Sequence, residues 1–180
     1  LETVYQEQVS QDPQLITDFL IQTISENPNS KLSNFSIILF CRLASVLSEN
    51  FISIGNEEFH QHIATDLFSF LNNPDFAEYS LSLISDLISR IILNYSYSEE
   101  FDTVGLFFPI LKEIIQSQNV NNSKAALDTL VYCIYNESID FQQISDSISG
   151  FLETVLTGEE INPEILLSSL KLLYVTFDSI

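Results

Sequence analysis

The amino-acid sequence predicts an all-α protein made of antiparallel helix pairs, and three observations lead to this prediction. Hydrophobic residues make up 46% of the 180 residues, which is enough for one substantial core. Only 4 Gly and 5 Pro are present, which argues against an all-β fold with many tight turns. Apolar residues recur at helical spacing in blocks separated by Pro, Gly and Asn, so we expect the blocks to be helices and the separators to be their ends.

The most apolar block is Phe35–Leu47, FSIILFCRLASVL, whose single charge is Arg42. A helix that is apolar nearly all round is normally covered on more than one side. The block is too short to span a bilayer. We therefore expect a buried helix that packs on its partner and on the pairs beside it. Its apolar positions at helical spacing are Phe35, Ile38, Leu39, Leu43, Val46 and Leu47, with Ile37, Phe40, Cys41 and Ala44 between them.

The first predicted pair follows a short helix that we expect within Leu1–Ser10. Asp12 supplies an N-cap acceptor and is followed by proline at the first helical position, which predicts the helix Pro13–Glu26. Ser30 or Ser33 then caps the apolar helix described above. The expected inward face of the first helix comprises Leu15, Ile16, Phe19, Leu20, Thr23 and Ile24.

The second predicted pair begins at Gly55–Glu58, where acidic residues suit the positive end of a helix, and its first helix ends near Leu71. Asp75 and Glu78 have the spacing of a capping box for the second helix, which runs to about Leu93. The inward positions are Phe59, Ile63, Leu67, Phe68 and Leu71 on the first helix, and Tyr79, Leu83, Ile84, Leu87, Ile88 and Ile91 on the second.

The third predicted pair consists of Phe101–Ser117 and Ser123–Asn136. Pro109 lies inside the first of these, so we expect either a kink or a helix that begins nearer Phe108. The inward residues are Val104, Phe107, Phe108, Leu111, Ile114 and Ile115, then Leu127, Leu130, Val131 and Ile134.

The fourth predicted pair begins at Asp140, which caps Phe141–Leu156. Gly158 ends that helix. Asn162 and the proline after it repeat the start signal of the first pair and open the last helix, Glu164–Phe177.

These elements form four pairs, with repeats at approximately 12–50, 56–94, 100–136 and 140–178. Their spacing of about 40–44 residues falls in the range of HEAT and armadillo repeats. The sequence therefore predicts a single domain, 1–180, that is a right-handed α-solenoid of about four HEAT-type antiparallel helix pairs. The alternative is a globular bundle of eight helices. Because the chain begins without Met, we also expect it to be part of a longer solenoid.

The charge balance separates classes of partner. There are 6 Lys+Arg against 25 Asp+Glu, a net charge of −19. A nucleic-acid binder needs a basic stripe, which this composition does not supply, and an anionic membrane surface is disfavoured for the same reason. We expect basic protein partners, attracted by the field of the acidic surface. The alternative is that the acidity only keeps an apolar protein soluble.

The sequence carries no pattern for catalysis. His60 and His62 are two residues apart on a helix and so point to different sides, which does not suit a metal site. No glycine-rich phosphate loop and no GxSxG nucleophile motif occurs. We therefore expect no enzyme activity, metal or cofactor. Cys41 and Cys133 lie in apolar helical runs, which favours small core residues over a disulfide.

Polar residues along the second helix of each pair are the candidate binding residues, because second helices usually line one face of a curved solenoid. Asp86 and Arg90 are also spaced for a local ion pair, which is the alternative interpretation. Three aromatic residues could contact a partner or anchor loops: Phe76, Tyr95 and Tyr97. The candidate ladder is Arg42, Asp86, Arg90, Lys124, Asp128 and Lys171.

The order of these segments resembles the amino-terminal region of importin-beta-like nuclear transport receptors, the karyopherins. The resemblance begins with PQLITDFLIQTIS and FSIILFCRLASVL, where the family tends to carry two adjacent arginines and this chain has Cys41-Arg42. It continues through EEFHQHIATDLFSFLNN and YSLSLISDLISRI. In FDTVGLFFPILKEII, Phe107-Phe108-Pro109 stands where the family usually has Trp-Pro-Glu-Leu.

The resemblance implies a HEAT-repeat superhelix whose second helices bind the small GTPase Ran in its GTP state, with the ladder residues as the matching positions. It also implies basic cargo proteins, FG nucleoporins bound through later repeats, and shuttling between cytoplasm and nucleus through the nuclear pore. It implies neither nucleic-acid binding nor membrane insertion. The rival hypothesis is a HEAT-repeat scaffold of another class, such as a phosphatase regulatory subunit.

Overall fold

The computed structural model describes residues 13–47, 57–98, 101–158 and 162–178. Within these ranges all regular structure is helical, and the predicted all-α class is confirmed. The predicted short helix within Leu1–Ser10, the Asp12 cap and the start at Gly55 lie outside the described residues. The helices are α1 (Pro13–Glu26), α2 (Lys31–Leu47), α3 (Glu57–Leu71), α4 (Glu78–Ser96), α5 (Thr103–Ile115), α6 (Val120–Tyr135), α7 (Phe141–Thr157) and α8 (Pro163–Asp178).

The helices form two layers. The second helices of the four pairs pack side by side in chain order, α2 on α4, α4 on α6 and α6 on α8. Each first helix packs on its own second helix, and α1 contacts α3 as α5 contacts α7. This packing between neighbouring pairs is compatible with an α-solenoid, in which each repeat is stabilised mainly by the next.

Hydrogen bonds about one repeat apart in sequence join the second helices. Asn94 Nδ2 donates to the Ala44 carbonyl at 2.9 Å, and the Ser85 and Thr129 hydroxyls pair at 2.9 Å, all in buried surroundings. These contacts join residues 50 and 44 positions apart. Because a buried polar group needs a partner, these bonds fix how far α4 is shifted along α2 and along α6.

Several predicted helix starts are confirmed. Asp140 Oδ1 accepts from the Gln142 amide at 2.9 Å, and Asn162 Oδ1 accepts from the Glu164 amide at 2.9 Å. Ser30 Oγ accepts from the Ser33 amide, so Ser30 is the cap of α2. These acceptors satisfy amides that have no partner inside the helix.

Three predicted helix starts are wrong. The helix α6 begins at Val120 with Asn119 as its cap, three residues before the predicted start at Ser123. The cap of α4 is Ala77 rather than Asp75, and no side chain of its own segment closes that end. The α1–α2 turn supplies the contact instead, since Asn29 accepts from the Ala77 amide at 2.6 Å and donates to the Asp75 carbonyl at 2.8 Å. The first helix of the third pair begins at Thr103, so the alternative start near Phe108 is also wrong.

The buried face of α2 differs from the predicted one. Ile37, Phe40 and Leu43 are completely buried, whereas Phe35 and Ile38 are exposed. Apolar residues occur on every side of α2, so their spacing alone cannot select a face. The positions of α1 and α4 select it, and Leu39 consequently lies at the margin, half-buried against the core.

Exposed apolar residues also appear on two other helices where burial was predicted. Leu15 and Phe19 of α1 and Tyr79 of α4 are more than half exposed. The predicted inward positions of α3 and α5 are confirmed, since most are buried and the others pack against the core. Both cysteines are buried and free, which confirms their prediction as core residues.

An aromatic cluster closes the space between the second and third pairs. Tyr95 lies 4.8 Å from Phe101 and 5.4 Å from both Phe107 and His60, measured between ring centres. Tyr95 is therefore an anchor of the α4–α5 connection, as one of the two interpretations predicted. Phe76 is likewise buried, whereas Tyr97 is exposed.

Candidate protein-binding face

The solvent-facing side of α2, α4, α6 and α8, here called the second-helix face, holds the candidate ladder. Arg42, Asp86 and Asp128 occupy equivalent positions on three successive second helices. Each is preceded by two buried residues and followed by two more, so each projects from the same side of its helix. The packed layer therefore places the three on one surface.

Ion pairs and hydrogen bonds connect neighbouring helices along this face. Arg90 Nε lies 3.0 Å from Asp86 Oδ2 within α4, and Arg90 Nη1 donates to Ser45 Oγ of α2 at 2.9 Å. The predicted local pair thus forms, and the same arginine also links two repeats. The Asp86 side chain, as a hydrogen-bond acceptor, raises the pKa of Arg90.

The next two links run from α4 to α6 and from α6 to α8. Lys124 Nζ lies 2.9 Å from Glu78 Oε1, and this hydrogen bond raises the pKa of Lys124. Lys171 Nζ lies 3.4 Å from Asp128 Oδ1, which also accepts from Ser168 Oγ at 2.9 Å. Five of the six predicted site residues are therefore joined in pairs, and Glu78 is a member that sequence spacing did not reveal.

Arg42 is the predicted site residue that stands apart. Its side chain is exposed, and it forms no ion pair within the described part of the chain. Lys31, at the start of the same helix, is also exposed and likewise has no ion pair there.

The described ion pairs are partly exposed and so contribute little to stability, about 0–1 kcal/mol each.

The two layers carry different charge, which composition alone did not reveal. All basic residues except Lys112 of α5 belong to second helices, which also contain Glu78, Asp86, Asp128, Glu164 and Asp178. Among the described residues the second helices are therefore charge-balanced, and the excess negative charge lies on the first helices and the turns. The described acids there are Asp18, Glu26, Glu57, Glu58, Asp66, Asp75, Asp102, Glu113, Glu137, Asp140, Asp146 and Glu153.

The second-helix face also exposes apolar side chains that were predicted to be buried or were not considered. On α2 and α4 these are Leu32, Phe35, Ile38 and Tyr79. On α8 they are Leu167, Leu170, Tyr174 and Phe177. Contiguous exposed apolar residues of this kind commonly mark protein interaction sites.

The histidines and cysteines are the remaining side chains that commonly serve in catalysis or metal binding. His60 is buried between aromatic rings, and His62 lies 3.3 Å from Asp66 on the surface. Burial raises the pKa of the Cys41 and Cys133 thiols to about 12, which keeps them protonated and unreactive. Within the described ranges no group of three or more His, Cys, Asp or Glu could hold a metal ion.

A surface cleft of about 310 Å³ lies between α1 and α3 and is lined partly by Asp18, Glu26 and Asp66. Another cleft, of about 280 Å³, lies beside the α6–α7 turn at Asp140. No helix among the described residues is long and apolar enough to cross a membrane.

The chain matches no protein-family model, no curated protein and no solved structure. The resemblance to importin-beta-like receptors therefore depends on the quoted segments and their order.

Proposed function

We propose that this chain is a non-enzymatic, HEAT-type α-solenoid that binds proteins through its second-helix face. The observation that supports this proposal is the row of paired charges on three adjacent helices, joined by Arg90, Lys124 and Asp128. Partly exposed charges in fixed positions can exchange partners with a bound protein and so favour a particular orientation.

The resemblance makes Ran in its GTP state the first partner to test. In this proposal the chain belongs to a nuclear transport receptor that shuttles between cytoplasm and nucleus. Ran-GTP and a basic cargo protein would favour different states of the solenoid, and each would change the affinity of the other by the same factor. FG nucleoporins would bind later repeats.

The experiment is a pull-down of the protein with Ran loaded with GTP or GDP, at low and physiological salt. We expect binding that prefers the GTP form. Arg90→Glu should weaken it, because the reversed charge repels Asp86 and removes the link to Ser45. Lys112→Glu is the matched control, since it makes the same charge change on α5, away from this face. Equal capture of both nucleotide forms by the full-length protein would contradict the transport-receptor proposal.

The acidic first-helix layer favours a second candidate. A scaffold of another class, such as a phosphatase regulatory subunit, would bind a basic protein without reference to nucleotide. Its binding would weaken steeply with salt, because the carboxylates on the first helices are exposed and screened. Salt-dependent capture of basic proteins together with indifference to Ran would support this candidate.

A further inference from the structure

An apolar stripe on α2 continues onto α4. Leu32, Phe35 and Ile38 are 61, 55 and 37% exposed, and they recur every three residues, a spacing that keeps successive side chains close to one side of a helix. Tyr79 of α4 is 63% exposed. We call these four residues the α2 stripe.

The hydrogen-bonded register of α2 and α4 brings the stripe together. Ser80 Oγ donates to Asn34 Oδ1 at 2.8 Å across the two helices. Phe35 directly follows Asn34 and Tyr79 directly precedes Ser80, so both aromatic side chains start from the same level of the layer. Farther along, the contact between Ser45 and Arg90 keeps the helices in register.

The charges at the ends of the stripe are positive and uncompensated. Lys31 and Arg42 lie on either side of the apolar residues and form no ion pair within the described part of the chain. Every basic residue of α4, α6 and α8 is paired with a carboxylate. Lys112 of α5 also forms no ion pair among the described residues, but only α2 carries two such cations on one helix, one at each end of its exposed apolar residues.

We propose that the α2 stripe binds an acidic amphipathic helix of a partner protein. Lys31 and Arg42 are separated by about 16 Å along α2, or roughly three helical turns. A partner helix of that length would place apolar residues at i, i+3 or i+4, and i+7 against the stripe, with Asp or Glu at each end opposite the two cations.

This inference deepens the proposed function, since it assigns partner chemistry to one part of the second-helix face. It opposes the expectation from net charge, which favours a basic partner everywhere. A basic partner elsewhere and an acidic partner at the stripe are compatible, because the two layers carry different charge. Screening also confines the electrostatic field to about 8 Å at physiological salt. Locally the two cations of α2 decide the preference.

The probe is a labelled synthetic helical peptide of about 14 residues with leucines along one side and glutamates at both ends. Its twin carries lysine at every glutamate position. Fluorescence anisotropy at about 0.15 M salt measures both affinities. We expect the acidic peptide to bind about threefold to tenfold more tightly than its twin, the range that two exposed charge pairs supply.

Two variants replace α2 residues with those at the equivalent positions of α4: Ile38 becomes serine, as at Ser82, and Arg42 becomes aspartate, as at Asp86. Ile38→Ser should weaken binding of the acidic peptide about fivefold or more, because it removes apolar contact area. Arg42→Asp should abolish the preference, so that both peptides bind about equally, because Lys31 and the new carboxylate then carry opposite charges at the two ends of the stripe. Leu106→Ser is the matched control, since Leu106 is an exposed leucine on α5, and this change should leave both affinities unaltered. Circular dichroism confirms that each variant is folded.

Three results would overturn the proposal. Wild-type protein could bind the lysine twin as tightly as the acidic peptide, or bind neither peptide. Sedimentation could instead show self-association that Ile38→Ser abolishes, in which case a second copy covers the stripe. The Ran pull-down is independent of these peptides, so failure of the proposed function and failure of this inference are distinguishable.

Discussion

The buried amide of Asn122 offers the sharpest test of how the repeats are held together. Asn122 of α6 is 1% exposed, and its Nδ2 donates to the Leu71 carbonyl at 2.5 Å and to the Asn73 carbonyl at 3.2 Å. Leu71 is the last residue of α3, and carbonyls at a helix end lack partners within the helix. One side chain of the third pair therefore completes the end of a helix in the second.

The expected effect of Asn122→Ala follows from these contacts. Each lost hydrogen bond destabilises the fold by about 0.5–1.5 kcal/mol, and the Leu71 carbonyl would remain buried without its donor. Asn122 Oδ1 has no hydrogen-bond partner among the residues that the structure describes, so removing that oxygen offsets part of the loss. We expect the free energy of unfolding to fall by about 2 kcal/mol, and the melting temperature by about 4–8 °C for a chain of this size.

Urea denaturation followed by circular dichroism measures this change. Asn121→Ala is the matched control, because Asn121 is the exposed neighbour on the same first turn of α6. The slope of the unfolding free energy against urea should be unchanged, since the surface exposed on unfolding is nearly the same. If Asn122→Ala lies within about 0.5 kcal/mol of Asn121→Ala, the inter-repeat cap does not stabilise the protein as we infer.

Three further predictions concern packing, a turn and the thiols. Phe40→Ala should destabilise the protein by about 3–5 kcal/mol, because Phe40 is fully buried. Leu39→Ala, at the half-buried margin, should have a clearly smaller effect in the same urea titration. Equal effects would contradict the observed buried face of α2. Asn29→Gly and Asn29→Ala both remove the two hydrogen bonds from Asn29 to the next turn. Glycine accepts the left-handed backbone at φ 66°, whereas alanine is strained there, so thermal melting should show Asn29→Ala to be the less stable variant. Cys41 and Cys133 should react with a thiol reagent at pH 8 only after unfolding. Because burial raises the pKa of both thiols, their contribution to stability is full below about pH 9 and is lost as the pH rises towards 12. Urea titrations from pH 7 to 11 should therefore show a decline in the free energy of unfolding, and Cys133→Ala should reduce that decline.

Local signals along the chain predicted the helices well. Capping residues such as Asp140 and Asn162 act within three residues of themselves, so their roles are readable from sequence. Hydrophobic periodicity identified the helices of both layers, because it too is a local property of the sequence. The shared side of Arg42, Asp86 and Asp128 was also predictable, because equivalent repeats place equivalent residues on one side, whereas binding by these residues stays a prediction.

The misassigned features depend on contacts between repeats. The spacing of Asp75 and Glu78 suggested a self-contained cap, but Asn29 of the preceding turn makes the contact instead. Nothing near residue 77 in sequence indicates this, because the two segments are 48 positions apart. Ion pairs from Lys124 to Glu78 and from Lys171 to Asp128 were unpredictable for the same reason.

The all-α class, the order and approximate ends of the helices, and the strongly acidic balance all follow from local backbone preference or from composition. The buried side of α2 and the division of charge between the layers depend instead on how the helices pack. A helix with apolar residues on every side, such as α2, has no preferred face until its neighbours occupy two of its sides. The same neighbours leave Phe35, Ile38 and Arg42 exposed together, and the proposed binding stripe is the result.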